Sequence, residues 1–187
     1  MISDKYILSE HSADLLMIPN EAEMIGRYSG LEKKYVRRLR LLSEEMICML
    51  PQLLSYGSGS FWIESEGTRF NLYLSVLTDR SKHFPRVKST VGTKSESEDK
   101  RGSGSIIARI CAAIESMMSE KPKAAKKDSG SENIWSLKEF KRSLGHGESD
   151  REAWDELEKS IIANLSDDVV ITMKSGKFDI VVKIDFG

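Results

Sequence analysis

A chain of 187 residues, 40% apolar and 30% charged, is long enough for one domain with a sizeable core and too short for a second full one. Its 28 Lys and Arg nearly cancel its 29 Asp and Glu, so no overall field draws it to nucleic acid or anionic lipid. No run approaches the roughly 18 apolar residues of a membrane span, and Met1 to Lys5 lacks a charged leader ahead of an apolar core, so the expected location is the cytoplasm, without membrane contact.

The first predicted element is a strand from Ala13 to Ile18, ended by Pro19 and Asn20. From Leu31 onward, Leu31, Tyr35, Leu39, Leu42, Met46, Met49 and Leu53 recur at steps of three or four, which predicts a long amphipathic helix packed on a core. Pro51 is expected to kink or end it, and Gly57 and Gly59 to mark a break. Cys48 and Cys111 both fall in apolar helical patterns and read as small buried hydrophobes, in neither a disulfide nor a metal site.

Phe61 and Ile63 alternate along the chain and answer Phe70, Leu72, Leu74 and Val76 across a turn containing Glu66 and Gly67. The period of two predicts a hairpin with one buried face. Two stretches, Ser81 to Arg101 and Ser119 to Ser131, are too poor in apolar residues to offset the entropy of ordering and are expected to be mobile. Between them Gly102, Ser103, Gly104 and Ser105 open an apolar helix, Ile106 to Met118.

Ser136 and Glu139 are spaced to cap a short helix, Leu137 to Leu144, while Trp135 and Phe140 staple its start. Ser149 and Glu152 form a second capping box, followed at helical spacing by Trp154, Leu157, Ile161 and Leu165. Val169, Ile171 and Met173, a Ser175-Gly176 turn, then Phe178, Ile180, Val182 and Ile184 predict a second hairpin.

These elements predict a single α+β domain over residues 1–187: a two-layer sandwich with a mixed, mostly antiparallel sheet built on the two hairpins. The long helix, the Gly102 helix and the Trp154 helix would cover one face. The other carries Trp62, Tyr73, Val170 and Val181, apolar enough for an oligomer or partner surface.

The order of strand, long helix with the acidic pair Glu44-Glu45, hairpin, Gly-x-Gly opening a helix, helix and hairpin resembles the histidine-kinase-like ATPase superfamily, GHKL, and within it small anti-sigma-type kinases. The resemblance runs from about Leu15 to Ile184 by element order. It implies that Glu44 or Glu45 takes the place of the catalytic acidic residue. It implies that Asp79 stands where a carboxylate reads adenine, although Arg80 and Ser81 follow instead of the family's glycine. Gly102, Ser103, Gly104 and Ser105 would be the glycine-rich box that presents a helix N-terminus to phosphates. In the family an asparagine four residues after the acidic one holds Mg²⁺; here Cys48 and Met49 stand at that spacing, and neither offers the oxygen ligand the ion needs.

The resemblance therefore implies a regulatory module that acts on a protein partner and holds ATP or ADP weakly or not at all. The alternatives are an active ATP-dependent serine- or histidine-type protein kinase or ATPase and a ligand-free scaffold, and a homo-oligomer stays open. His11, His83 and His146 show no metal-ligand spacing, and no nucleophile elbow precedes a helix. The basic run Lys33, Lys34, Arg37, Arg38 and Arg40 reads as a solvated face supported by ion pairs between turns. Lys121, Lys123, Lys126 and Lys127 lack the interleaved aromatics of a nucleic-acid surface.

Overall fold

The structure, a computed structural model, describes residues 1–8, 13–54, 57–78, 133–145, 147–174 and 177–187. The expected mobile stretches, Asp79, the Gly102–Ser105 box, the helix Ile106 to Met118 with Cys111, and the three histidines lie outside these residues.

The described strands are β1 (Tyr6–Leu8), β2 (Gly57–Glu66), β3 (Arg69–Thr78), β4 (Asn133–Ser136), β5 (Asp168–Lys174) and β6 (Lys177–Asp185). They form one sheet in the order β1-β2-β3-β6-β5-β4, and every described pairing is antiparallel, so the expected mixed sheet is corrected. The two predicted hairpins are β2–β3 and β5–β6, and they join side by side through β3 and β6, with Tyr73 opposite Val181. Gly67, at φ 61°, takes the left-handed conformation that closes the first hairpin.

The described helices are α1 (Ile18–Tyr28), α2 (Lys33–Leu54), α3 (Leu137–Ser143), α4 (Glu148–Lys159) and α5 (Ile161–Leu165). Ala13–Met17 is a 3₁₀ turn running directly into α1, not the expected strand. Pro19 misleads as a stop signal: it lies in the first turn of α1, where its missing N–H has no partner to lose. Ile18, Ala22 and Ile25 then face the core, and Gly26 lets α1 approach α2, where a Cβ would meet Val36 and Leu39 at 3.4 Å.

Pro51 stands in the last turn of α2, which ends at Leu54. The expected break after the helix is present, and Gly57 and Gly59 lie just beyond it as the opening of β2, where pairing with Thr78 and Val76 of β3 overrides glycine's weak strand preference. The expected single helix from Ser149 to Leu165 is two helices, broken at Ser160. Ser160 has extended backbone (ψ 122°) and its hydroxyl accepts from Ala163 N at 3.1 Å, so it caps α5; Gly147, not Ser149, is the N-cap of α4. At α3 the expected cap is present: Ser136 Oγ accepts from Glu139 N, and the Trp135 and Phe140 ring centroids lie 6.0 Å apart.

A single core joins the layers. Phe61, Phe70, Phe178, Ile63, Leu72 and Ile180 rise from one face of the sheet and meet Leu39, Leu42, Met46 and Met49 of α2 and Leu157 of α4. Arg38 of α2 ties in the far end: its Nε donates to Leu165 O at 2.8 Å, its Nη2 to the same oxygen, and its guanidinium lies over the Phe186 ring.

Candidate functional site

Successive residues on a helix point about 100° apart, so Glu44 and Glu45 leave α2 on different flanks of the stripe formed by Leu39, Leu42, Met46 and Met49. Glu44 lies on the α1 flank. Its Oε1 accepts from Arg40 Nε at 2.9 Å, while Arg40 Nη1 reaches Glu23 Oε2 of α1 at 2.7 Å and Asn20 Oδ1 at 3.1 Å. Glu23 also pairs with Arg27, one turn along α1. The hydrogen bond from Arg40, then that from Arg27, holds the Glu23 carboxyl below its usual range. Glu23 and Glu44 in turn hold the Arg40 guanidinium above its usual value. Glu45, on the opposite flank, is half-buried.

One turn beyond the acidic pair the two candidate metal positions diverge. Met49 is fully buried among the core side chains. Cys48 is exposed, which corrects the expectation of a buried thiol: it stands between the flanks on the side of α2 turned from the sheet. Neither a thiol nor a thioether offers Mg²⁺ an oxygen, so this part of the helix does not fit the ion that the GHKL resemblance implies. Among the described residues no group of three or more His, Cys, Asp or Glu is placed to hold a metal. Asp79 and Gly102 to Ser105 lie outside the described residues, so Glu44 and Glu45 are the expected site residues with a described position.

The basic run on α2 is divided in its roles. Arg40 makes the expected pair with Glu44 one turn away, and Lys34 pairs with Glu32 at 3.0 Å. Arg38 and Arg40, however, also bridge α2 to other elements, a use of these charges that spacing along one helix does not reveal. Beside this network Leu16, Met17, Met24 and Tyr28 are exposed, Leu16 to 83% and Tyr28 to 78%.

On the sheet face turned from α2, Trp62, Tyr73, Val181 and Val170 occupy one row across four strands, as the period-two reading expects. Trp62 and Tyr73 stack with parallel rings, centroids 4.8 Å apart, and Lys5 Nζ lies 4.8 Å above the Trp62 ring. Glu64 Oε1 accepts from Trp62 Nε1 at 3.0 Å. Burial and then the bond to Glu64 raise the Tyr73 hydroxyl pKa. At the Asp185 end of the sheet, a groove of about 500 Å³ is walled by Glu64, Glu66, Arg69, Asp167, Lys183 and Asp185, with Arg69 and Asp185 paired at 3.2 Å.

No protein-family model matches the chain, and no curated protein matches it. Among the described residues no helix is long and apolar enough to cross a membrane.

Proposed function

We propose that this chain is a regulatory module on a GHKL-type framework, acting by binding another protein and holding ATP or ADP weakly or not at all. The observation that carries the reading is the pairing of Glu44 with Arg40: of Glu44 and Glu45, the two residues that the resemblance offers for the catalytic place, the first is tied into a bridge between α1 and α2. A carboxylate held in this way points at a guanidinium rather than at a water it could position for attack. Phosphoryl transfer depends almost wholly on positioning and on charge neutralisation by Mg²⁺, and Cys48 and Met49 supply no oxygen for the ion. The order α2, β2–β3 hairpin, α4 and β5–β6 hairpin supports the framework. The exposed Leu16, Met17, Met24 and Tyr28 support the protein partner, since grouped apolar side chains of this kind are commonly covered in a complex.

The test is thermal unfolding with and without millimolar ATP, ADP and Mg²⁺, because a ligand at about a hundred times its dissociation constant adds roughly 2.7 kcal/mol of stability. The expected result is no Mg²⁺-dependent rise, with or without Glu44→Gln and Glu45→Gln. A metal-dependent rise, joined to phosphate release that either substitution abolishes, overturns the proposal in favour of an active kinase or ATPase.

A further inference from the structure

The outward residues of β6 read Lys177, Asp179, Val181, Lys183 and Asp185, a series whose charges reverse about Val181. Laid antiparallel against itself with Val181 on Val181, this strand sets Asp179 opposite Lys183 and Lys177 opposite Asp185. We propose that the sheet face turned from α2 is the interface between two copies of this chain, related by a two-fold axis running across the strands along the Trp62, Tyr73, Val181 and Val170 row. A two-fold contact requires a self-complementary patch, and the outward side of β6 is one. The row meets its own copy on the axis, where Lys5, lying over the Trp62 ring, would face Lys5 of the second copy. On β2 the hydroxyl of Ser60 falls opposite Glu64, and on β3 Ser75 falls opposite Asn71, so these two strands add no like-charge contact.

A second observation concerns Asp179. Its Oδ1 is buried and ion-paired with Lys177 Nζ at 3.0 Å. About a third of the Asp179 side chain stays exposed. Lys183 of a second copy would approach that exposed part from above, since facing sheets pack about 10 Å apart and a lysine side chain spans most of that gap. Facing sheets also cross at up to about 30°, which displaces the outer pair more than the inner one. The Asp179 and Lys183 pair is therefore the sensitive contact.

The size is adequate. Six strands of three to ten residues, about 4.8 Å apart with outward residues about 6.8 Å apart, present about 700 Å², near the roughly 800 Å² that each partner contributes to an interface of ordinary size. The inference does not depend on the nucleotide reading.

The experiment is sedimentation velocity of the full chain over the micromolar range, for the wild type, Asp179→Lys, Lys183→Asp and an equal mixture of the two variants. The wild type should be a dimer that weakens in high salt. Each variant alone sets like charges opposite each other twice and should dimerise about a hundredfold more weakly. Mixing them restores opposite charges at both places and should restore the dimer, which also shows that both variants are folded. A monomeric wild type, variants that dimerise as tightly as the wild type, or a mixture that stays monomeric while both variants keep their circular dichroism overturns the proposal.

Discussion

Arg40 of α2 donates to Glu23 of α1 at 2.7 Å and to Glu44 of its own helix at 2.9 Å, so one guanidinium joins two helices and engages one of the two acidic candidate residues. The bridge is solvent-exposed, and exposed pairs individually contribute little. Its importance is positional: it sets which way Glu44 points.

The bridge gives stability a specific dependence on pH. Glu23 titrates below its ordinary value of 4.5 in the folded chain because Arg40 and then Arg27 donate to it. A carboxyl depressed in this way binds its proton more readily when unfolded, so its contribution is complete above the unfolded value and is lost as pH falls through the folded one. Arg40 stays charged throughout, its own value being raised. The difference in urea midpoint between wild type and Glu23→Gln should hold steady above the ordinary carboxyl value of 4.5 and shrink as pH falls below it. A difference that persists at the lowest pH would mean that the glutamine acts through packing.

Whether these relationships can be read from the sequence depends on the range of the signal. Both hairpins are legible because a strand with one buried face writes a period of two into Phe70, Leu72, Leu74 and Val76 and into Phe178, Ile180, Val182 and Ile184. The edge strands β1 and β4, with three and four residues, are too short to show a period. Pro19 hides α1 because it signals a stop and a first turn equally well. Ser160 hides the break between α4 and α5 because Trp154, Leu157, Ile161 and Leu165 keep helical spacing across it. Glu44 is visible as a candidate and its pairing with Arg40 follows from helical spacing, but the link onward from Arg40 to Glu23 rests on α1, for which the sequence predicts no helix.

Arg38 should prove more important to stability than its neighbours in the basic run. Two of its nitrogens donate to Leu165 O, and it covers Phe186. Arg38→Met keeps much of the apolar stem but removes both donors, and should cost about 1–3 kcal/mol in chemical denaturation. Arg37→Met, at an exposed position, should lie within about 0.5 kcal/mol of wild type.

Gly26 tests how closely α1 and α2 pack. A Cβ there would meet Leu39 Cδ2 and Val36 Cγ2 at 3.4 Å, the near limit of ordinary contact. Gly26→Ala gains helix propensity of about 1 kcal/mol, and slight crowding offsets part of it, so the variant should be neutral to mildly stabilised. Gly26→Leu has no such room and should lose about 1–3 kcal/mol by separating the helices. Equal behaviour of the two variants would mean that α1 moves freely on α2.

Asp168, at the start of β5, fixes the start of α3. Its carboxylate accepts from Ser136 Oγ at 3.0 Å, from Lys138 N at 2.9 Å and from Val169 N at 2.9 Å, so it satisfies a first-turn N–H of α3 while the charge faces the positive end of the helix. Nothing in the spacing of Ser136 and Glu139 announces it, because the partner lies on a strand thirty residues later. Asp168→Ala removes every one of these acceptors and should cost about 1–3 kcal/mol, whereas Asp168→Asn keeps one acceptor oxygen and should cost less. Amide hydrogen exchange locates the effect. Faster exchange confined to Lys138 and its neighbours in α3 is the expected outcome, and uniform acceleration across the sheet would assign Asp168 to the stability of β5 instead.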